Sequence, residues 1–271
     1  MINAFKIIWE QIIYFPLIIR MVKYGDQSTY QNFFLGQAWK IFNPILQVSV
    51  YFVIFGFGLG QSRTVHSNPA EYLSWMLLGM AIWRFMNEAI MGGSQSIKHQ
   101  IGMVSKMKFP LSILPAISIA SAIWTFLALF ILGTATMLSG GIGVSQEWPW
   151  AIYYLFATIA FSYSFSLFNS TIVILIPDYI SILRVVMMMT MWIGGVIIKI
   201  GTFNNVIGDI LRLLPFNYVV DGIRDAWLRS DTQFEATFLP ATLIFWSLTI
   251  IFLLVGSFLH NKFKKSFIEY L

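Results

Sequence analysis

Long runs of apolar residues dominate the chain, and six of them are candidates for bilayer spans. A hydrocarbon core of about 30 Å needs a helix of about 20 apolar residues. The six runs cover residues 41–59, 73–91, 111–138, 150–176, 185–200 and 239–259. The fifth is the shortest and ends at a lysine near its outer end. We therefore predict an all-α polytopic membrane protein with six transmembrane helices.

Positive charges are distributed unevenly between the two sides of these spans. One side carries eleven of them: Lys6, Arg20, Lys23, Lys40, Lys98, Lys106, Lys108, Arg184, Lys262, Lys264 and Lys265. The other side carries four: Arg63, Arg212, Arg224 and Arg229. Because Lys and Arg accumulate in cytoplasmic loops, we expect both termini in the cytoplasm.

The segment before the first span has helical periodicity of its own, with charged residues off its apolar stripe. The stripe consists of Phe5, Ile8, Trp9, Ile12, Ile13 and Ile19. An amphipathic helix of this kind lies in the membrane interface, and Pro16 is expected to kink or split it. A plain N-terminal anchor explains the pattern equally well. The basic residues of this segment would lie near anionic lipid headgroups.

Composition narrows the possible functions. The chain has 271 residues, of which 58% are hydrophobic and only 11% charged. This excludes a soluble enzyme, a disordered chain and a nucleic-acid-binding protein, despite a net charge of +5. With no cysteine, it can form neither a disulfide nor a thiolate metal site, and its three histidines lack metal-ligand spacing.

No motif for nucleotide binding is present. Gly56, Gly58 and Gly60 lack both the strand-to-helix context and the Gly-Lys-Ser/Thr of a phosphate loop. We therefore expect no cofactor in this chain, and any ATP and Mg²⁺ must be bound by another subunit.

The loop after the second span is basic, half apolar and predicted to be cytoplasmic. Apolar residues at helical spacing suit a short helix, residues 97–109, seated in a groove of a soluble partner. The candidate contact residues are Ile97, Lys98, His99, Ile101, Met103, Val104 and Lys106. Pro110 and Pro115 would end this helix at the bilayer. The alternative is a basic loop that only obeys the positive-inside rule.

Two sets of residues within the spans could line a transport path. Arg84 and Glu88 are four residues apart, so they share one face of a helix. They form either a polar point on the path or an internal ion pair. Tyr51, Phe52 and Phe55 form an aromatic face that either contacts sugar rings or packs against lipid and neighbouring helices.

The outer segment 201–238 is too apolar for a free loop. It predicts two short helices, 206–214 and 218–228, separated by Pro215. We interpret them as a helical hairpin dipping into the outer leaflet, with Pro215, Asn217 and Arg224 as its candidate functional residues. An ordinary folded outer loop is the alternative.

Two other function classes remain open on these residues. A membrane enzyme would need clustered carboxylates, and the cluster around Asp221 and Asp225 has Arg224 and Arg229 beside it. An ion-coupled carrier would need carboxylates within the spans or paired broken helices, and Glu88 is the candidate for it.

Three segments together resemble the type-2 ABC exporter permeases that move lipid-linked polysaccharides. They are Tyr30…Leu35-Gly36…Trp39…Pro44, then Phe109-Pro110…Leu114-Pro115, then Pro215…Asn217…Gly222-Ile-Arg224. In the third segment Asn217 follows Pro215, whereas in the family the asparagine precedes a proline. The C-terminal residues 267–271 are most similar to those of wall teichoic acid exporter permeases, while O-antigen and capsule permeases share the architecture.

The resemblance implies an organisation and a set of partners. The chain would be one transmembrane domain, with an interface helix in 1–35, six spans in 41–259 and a cytoplasmic tail in 260–271. It would form a homodimer with two copies of a separate ABC ATPase, in the cell membrane. The substrate would be a polymer on an undecaprenyl diphosphate carrier, moved from the inner to the outer side. Arg20 and Lys23 are the candidates for binding the carrier's diphosphate at the inner surface.

Overall fold

The computed structural model describes residues 2–29, 34–58, 69–104, 110–197, 200, 206–228 and 238–264. Within these residues the chain forms ten α-helices. They are α1 (Ile2–Ile13), α2 (Phe15–Thr29), α3 (Trp39–Tyr51), α4 (Pro69–Val104), α5 (Leu114–Ser139), α6 (Pro149–Leu175), α7 (Tyr179–Ile193), α8 (Val206–Arg212), α9 (Pro215–Trp227) and α10 (Phe238–Phe263). A 3₁₀ turn, Gly36–Ala38, precedes α3, and a π-helical segment, Phe52–Gly58, continues it.

Four helical stretches in the described residues are long and apolar enough to cross a membrane: Gly36–Phe57, Leu111–Ser139, Pro149–Leu175 and Leu239–Phe263. They match the first, third, fourth and sixth predicted spans. The other two do not meet the same criterion. The helix α4 has 36 residues, but polar and aromatic side chains lower its hydropathy, and α7 is apolar but has only 15 residues. At 1.5 Å per residue α7 is about 22 Å long, which is less than a bilayer core.

The N-terminal segment is split at the predicted proline. The helix α1 ends at Ile13 and α2 begins at Phe15, with Pro16 in its first turn, where a missing N–H costs nothing. The predicted apolar stripe lies on the surface, with Phe5 72% and Ile12 62% exposed. A different face is buried against the protein, through Ala4, Ile7, Ile18 and Val22. The segment thus has one face toward the protein and one apolar face away from it.

The long helix α4 lies at the centre of the fold. It packs against α5, α6, α7 and α9, and every residue from 74 to 83 is buried. Small residues allow close approach farther along: a Cβ on Gly93 would lie 2.7 Å from the Ser166 side chain on α6. The Ser166 hydroxyl donates to the Ala89 carbonyl at 3.2 Å.

The predicted partner-binding helix is not separate from the second span. Residues 97–104 continue α4 without a break, because no proline interrupts the chain between Pro69 and Pro110. Residues 105–109, including Lys106, lie outside the described residues. A 3₁₀ turn, Leu111–Ile113, then leads into α5, with Pro115 near its first residue.

The region from the fifth predicted span to α9 agrees with the sequence on the two short helices and differs on the fifth span. The structure has α8 and α9 where two helices are predicted, and Pro215 begins α9, a position that suits proline. The fifth predicted span, 185–200, instead starts at Tyr179 and ends at Ile193. It stops there because the chain turns through Gly195, whose φ of +66° is easily adopted only by glycine.

Candidate substrate cavity and outer clamp

A cavity of about 860 Å³ lies between α2, α4 and α5. Its lining includes Arg20 from α2, Glu88 and His99 from α4, and Ser121 from α5. Three separate sequence predictions, for diphosphate binding, the substrate path and the partner contact, each contribute one of these residues. Glu88 and His99 are about 16 Å apart along the helix at 1.5 Å per residue, so the cavity is long.

The position of α2 beside this cavity follows from its apolar residues. Ile18 and Val22 are buried in a small cluster with Ile97, Ile113 and Ile117. That packing turns the next face of α2 toward the cavity, where Leu17, Arg20, Met21 and Tyr24 line it at helical spacing. Lys23 points elsewhere: it is exposed and is not among the lining residues. The predicted diphosphate pair is therefore represented in the cavity by Arg20.

The deep end of the cavity is polar. The hydroxyl of Thr125 donates to a carboxylate oxygen of Glu88 at 3.0 Å. Beside it, the Lys40 ammonium group donates to the Ser121 carbonyl at 2.8 Å and to its hydroxyl at 2.7 Å. Residues from α3, α4 and α5 thus hold opposite charges at one end of the cavity.

Arg84 does not form the predicted internal ion pair with Glu88 among the described residues. Its side chain is half-buried, and its Nε is buried without a hydrogen-bond partner. The hydrogen bond seen on Glu88 comes from Thr125. The two charges share a helix face as predicted, but each has its own surroundings.

The aromatic residues of the first span do not line the cavity. Phe52 stacks against Tyr72 on α4 with ring centres 6.3 Å apart. Phe55 meets Trp192 on α7 edge-on at 6.2 Å. The Tyr51 hydroxyl accepts a hydrogen bond from Gln47 at 3.0 Å. In this structure the three rings pack at helix contacts, which was the alternative interpretation of the sequence.

The predicted partner-contact residues divide into three groups. Ile97 is fully buried in the cluster with α2, and its role in a partner contact stays a prediction. Lys98 is half-buried, and His99 is exposed and lines the cavity. The side chains of Ile101, Met103 and Val104 lie outside the described residues, as does Lys106. For these four, contact with a partner stays a prediction.

Arg224 of α9 forms a buried clamp that joins three elements. Its Nε donates to the Trp75 carbonyl at 3.0 Å, and its two terminal nitrogens donate to the Gly195 and Val196 carbonyls, each at 2.6 Å. The guanidinium carbon lies 3.5 Å from the centre of the Trp75 ring, and Asp221 is 3.5 Å from Nη1. With 1% exposure, Arg224 is among the most buried large side chains described.

Asn217 completes the same clamp. Its side-chain nitrogen donates to the Ile193 carbonyl at 3.1 Å and also to the Leu211 carbonyl. The last carbonyls of a helix have no partners within it. Asn217 and Arg224 together supply donors to the end of α7 and the turn after it. Pro215 contributes by starting α9, which carries both side chains.

Sequence reasoning identified Asn217 and Arg224 but missed what they bind. Their acceptors are backbone carbonyls, which have no sequence signature. Gly79 was also missed: a Cβ there would come within 2.5 Å of the Arg224 guanidinium carbon. The available signal was a glycine within the stretch 72–86, in which most of the side chains are large. Lys40 was used only for orientation, although a lysine at the start of a span needs a polar partner.

Residues 16–228 match the sequence model of the ABC-2 type transporter family. The chain belongs to this family. The matched region runs from α2 through the end of α9, so both the cavity and the clamp lie within it.

Two relatives of this ABC-2 chain are similar to it over different shares of its length. A stretch of 144 residues, 53% of the chain, is 27% identical to the O-antigen export system permease protein RfbA of Myxococcus xanthus and covers 51% of that protein. A protein of the same name from Klebsiella pneumoniae is 19% identical over 258 residues, which is 95% of each chain. The chain thus spans about half of the first relative and nearly all of the second.

Proposed function

We propose that this chain is the transmembrane subunit of an ATP-driven exporter of a polymer linked to undecaprenyl diphosphate. The polymer would move from the inner to the outer side of the cell membrane. Membership of the ABC-2 family is the observation that carries this proposal. The cavity between α2, α4 and α5 supports it, because it combines a cationic residue with polar and apolar lining.

The energy would come from a separate ATPase, with ATP and Mg²⁺ bound there. The inner end of α4 and the loop after it would contact that subunit, with Lys98 and His99 near the contact. We propose a homodimer with two ATPase copies. Both termini would be cytoplasmic, since the Lys and Arg distribution favours this orientation.

Arg20 would receive the carrier's diphosphate. A guanidinium group binds phosphate oxygens through two parallel hydrogen bonds, and Arg20 lines the cavity from the interface helix α2. Lys23, exposed one turn along α2, would attract anionic headgroups toward the opening.

Three classes of polymer fit this proposal. The C-terminal resemblance favours wall teichoic acid, whereas the named relatives export O-antigen. The capsule polysaccharides are a third possibility of the same kind. All share the lipid carrier, so the cavity is proposed for the carrier rather than for one repeat unit.

Reconstitution tests the function. The chain and its ATPase, purified together, are placed in vesicles with undecaprenyl-diphosphate-linked polymer on one side. We expect polymer to become accessible to a hydrolase on the other side only when ATP and Mg²⁺ are added. Movement driven by an ion gradient without ATP would contradict the proposal and favour the ion-coupled carrier.

A double substitution tests the coupling segment. Met103→Asp with Lys106→Asp should abolish co-purification of the ATPase and ATP-driven transport. The control, Lys262→Asp with Lys264→Asp, makes a similar change in charge at the exposed inner end of α10. Unchanged ATPase binding in the first variant would show that the segment is not the contact.

A further inference from the structure

The inner half of α4 carries a polar stripe, defined by Arg84, Asn87, Glu88 and Gln95, with Met91 and Gly92 between them. All six are half-buried, whereas every residue from 74 to 83 on the same helix is buried. At 100° per residue they fall on one side of the helix, within about 140°. The stripe therefore begins abruptly at Arg84 and continues toward Lys98 and His99.

Three side chains of the stripe have few polar partners among the described residues. The Asn87 side chain makes no hydrogen bond there, and the Gln95 amide donates to the Met91 carbonyl on its own helix at 3.2 Å. Arg84 Nε is buried without a partner. Glu88 and Gly92 also line the cavity, so one edge of the stripe is a cavity wall.

Facing lipid, these side chains would be costly. A charge at the centre of a bilayer costs at least about 2.5 kcal/mol even on the most lenient scale. Amides without partners add to this. The face must therefore meet water or a polar ligand, or be covered by another polypeptide.

We propose that the polar stripe is the water-lined wall of the inner half of the polymer path and that it binds the hydroxyl groups of an electrically neutral saccharide. This rests on the proposed function and specifies its substrate. A carboxylate accepts hydrogen bonds from hydroxyl groups, a guanidinium donates to them, and an amide does both. A chain sliding past can therefore exchange one hydrogen bond for the next.

The charges on the stripe favour a neutral chain over a polyphosphate. Its positive group, Arg84, has the Glu88 carboxylate one turn away on the same face. A wall for repeating phosphates would need repeated cations, and the positions that follow, Met91, Gly92 and Gln95, carry none. The Glu88 carboxylate offsets Arg84, so the stripe itself carries no net positive charge that would attract phosphates.

Labelling of single cysteines tests whether the stripe is wet. The chain has no cysteine, so Met91→Cys introduces the single thiol. Leu127→Cys on α5 is the control, since Leu127 is 38% exposed. Both positions are 13 residues, about 20 Å, from the inner end of their helices. In inverted vesicles holding the complex with its ATPase, a charged, membrane-impermeant thiol reagent should label Met91→Cys at least about tenfold faster. Equal, slow rates would mean lipid or a second polypeptide covers the stripe, and would overturn the proposal.

A selectivity measurement tests the ligand. Vesicles with the complex are given either a neutral glycan or a glycerol-phosphate polymer, each on undecaprenyl diphosphate. Wild type should move the neutral glycan in preference. Glu88→Gln should raise the ratio of phosphate polymer to neutral glycan about tenfold, because a charge of the same sign as phosphate is removed from the wall. Glu147→Gln makes the same change on an exposed outer turn and should leave the ratio unchanged.

The outcomes separate the two proposals. If wild type moves neither polymer with ATP, the proposed function fails. If wild type exports a polymer but Glu88→Gln leaves the ratio as it was, or the phosphate polymer is preferred from the start, the exporter stands and the assignment of the stripe to neutral saccharide is wrong.

Discussion

Two arginines near α4 have opposite surroundings. Arg224 packs against the outer half of the helix with 1% exposure, three backbone acceptors and an aromatic ring beneath it. Arg84, on the inner half of the helix, has a buried Nε with no partner. Arginine is thus fully hydrogen-bonded at position 224, whereas at position 84 its Nε has no hydrogen-bond partner.

This difference separates rigid structure from a surface that is available for binding. A buried polar group lowers stability unless it is hydrogen-bonded, so a closed network like that of Arg224 holds its neighbours in one arrangement. An incompletely bonded group in a half-exposed position keeps its donors available. The N-terminal half of α4 therefore holds the fold together, and the C-terminal half carries the groups that we propose contact the substrate.

Replacing the two arginines by the same residue should give the largest contrast. Arg224→Met leaves three carbonyls without donors, and each unpaired buried group costs about 1–3 kcal/mol. We expect stability to fall by about 4 kcal/mol or more, measured by thermal unfolding in detergent. Arg84→Met should change stability by less than about 1 kcal/mol. Equal losses would show that the two sites do not differ in this way.

Adding a side chain at Gly79, which contacts the Arg224 guanidinium group, should give the next largest loss of stability. A Cβ on Gly79 overlaps the guanidinium group, so Gly79→Ala should cost about 2–3 kcal/mol through displacement of that group. The control is Gly102→Ala, at the inner end of α4, where a Cβ meets nothing within 4 Å. That change should be neutral or stabilise by up to about 1 kcal/mol, because alanine favours helix.

Asn217→Asp should weaken the end of α7 without creating a cavity, because the two side chains have nearly the same size. The change replaces a donor by an acceptor that faces the Ile193 carbonyl. We expect a loss of about 1–2 kcal/mol and faster hydrogen exchange at residues 190–197. Asn261→Asp is matched, since Asn261 bonds a carbonyl on its own helix at 3.1 Å. A similar loss in that variant would argue against a special role for the clamp.

The smallest expected effect concerns the hydrogen bond between α1 and the 3₁₀ turn that precedes α5. The Ser112 hydroxyl donates to the Glu10 carboxylate at 2.5 Å, and the Ser112 carbonyl accepts from Tyr163 at 3.1 Å. Combining Glu10→Gln with Ser112→Ala should reveal a coupling energy of about 1 kcal/mol. Ser139→Ala, exposed at the outer end of α5, should show no coupling with Glu10→Gln. Additive effects of the first pair would mean that α1 is held by its apolar face alone.

The elements predicted best from the sequence are those that depend on a single physical requirement, either an apolar run or a proline. Uninterrupted apolar runs located the spans in α5, α6 and α10, and prolines located the breaks before α2 and α9. The sequence-based prediction failed where contacts with neighbouring elements determine where a helix ends. The helix α7 ends early because Gly195 turns back beneath Arg224, and the inner end of α4 stays helical because α2 packs on Ile97.

The candidate site was predicted residue by residue but not as an arrangement. Arg20, Glu88 and His99 were singled out for three different reasons, and only the packing of α2 against α4 and α5 brings them to one cavity. The pattern of the polar stripe was visible in the spacing of Arg84, Glu88 and Gln95. Which face of α4 stays open depends on the other helices, so it could not be derived from the pattern.

The split of the N-terminal segment at Pro16 has a consequence for how lipid affects the transporter. The helix α1 exposes its apolar stripe on the surface of the protein, while α2 forms one wall of the cavity. The joint between them is a single residue, Tyr14. With α1 in the membrane interface, as the sequence predicts, a change in leaflet thickness or headgroup charge would act first on α1 and pass through that joint, so membrane composition would become one of the variables that set the width of the cavity.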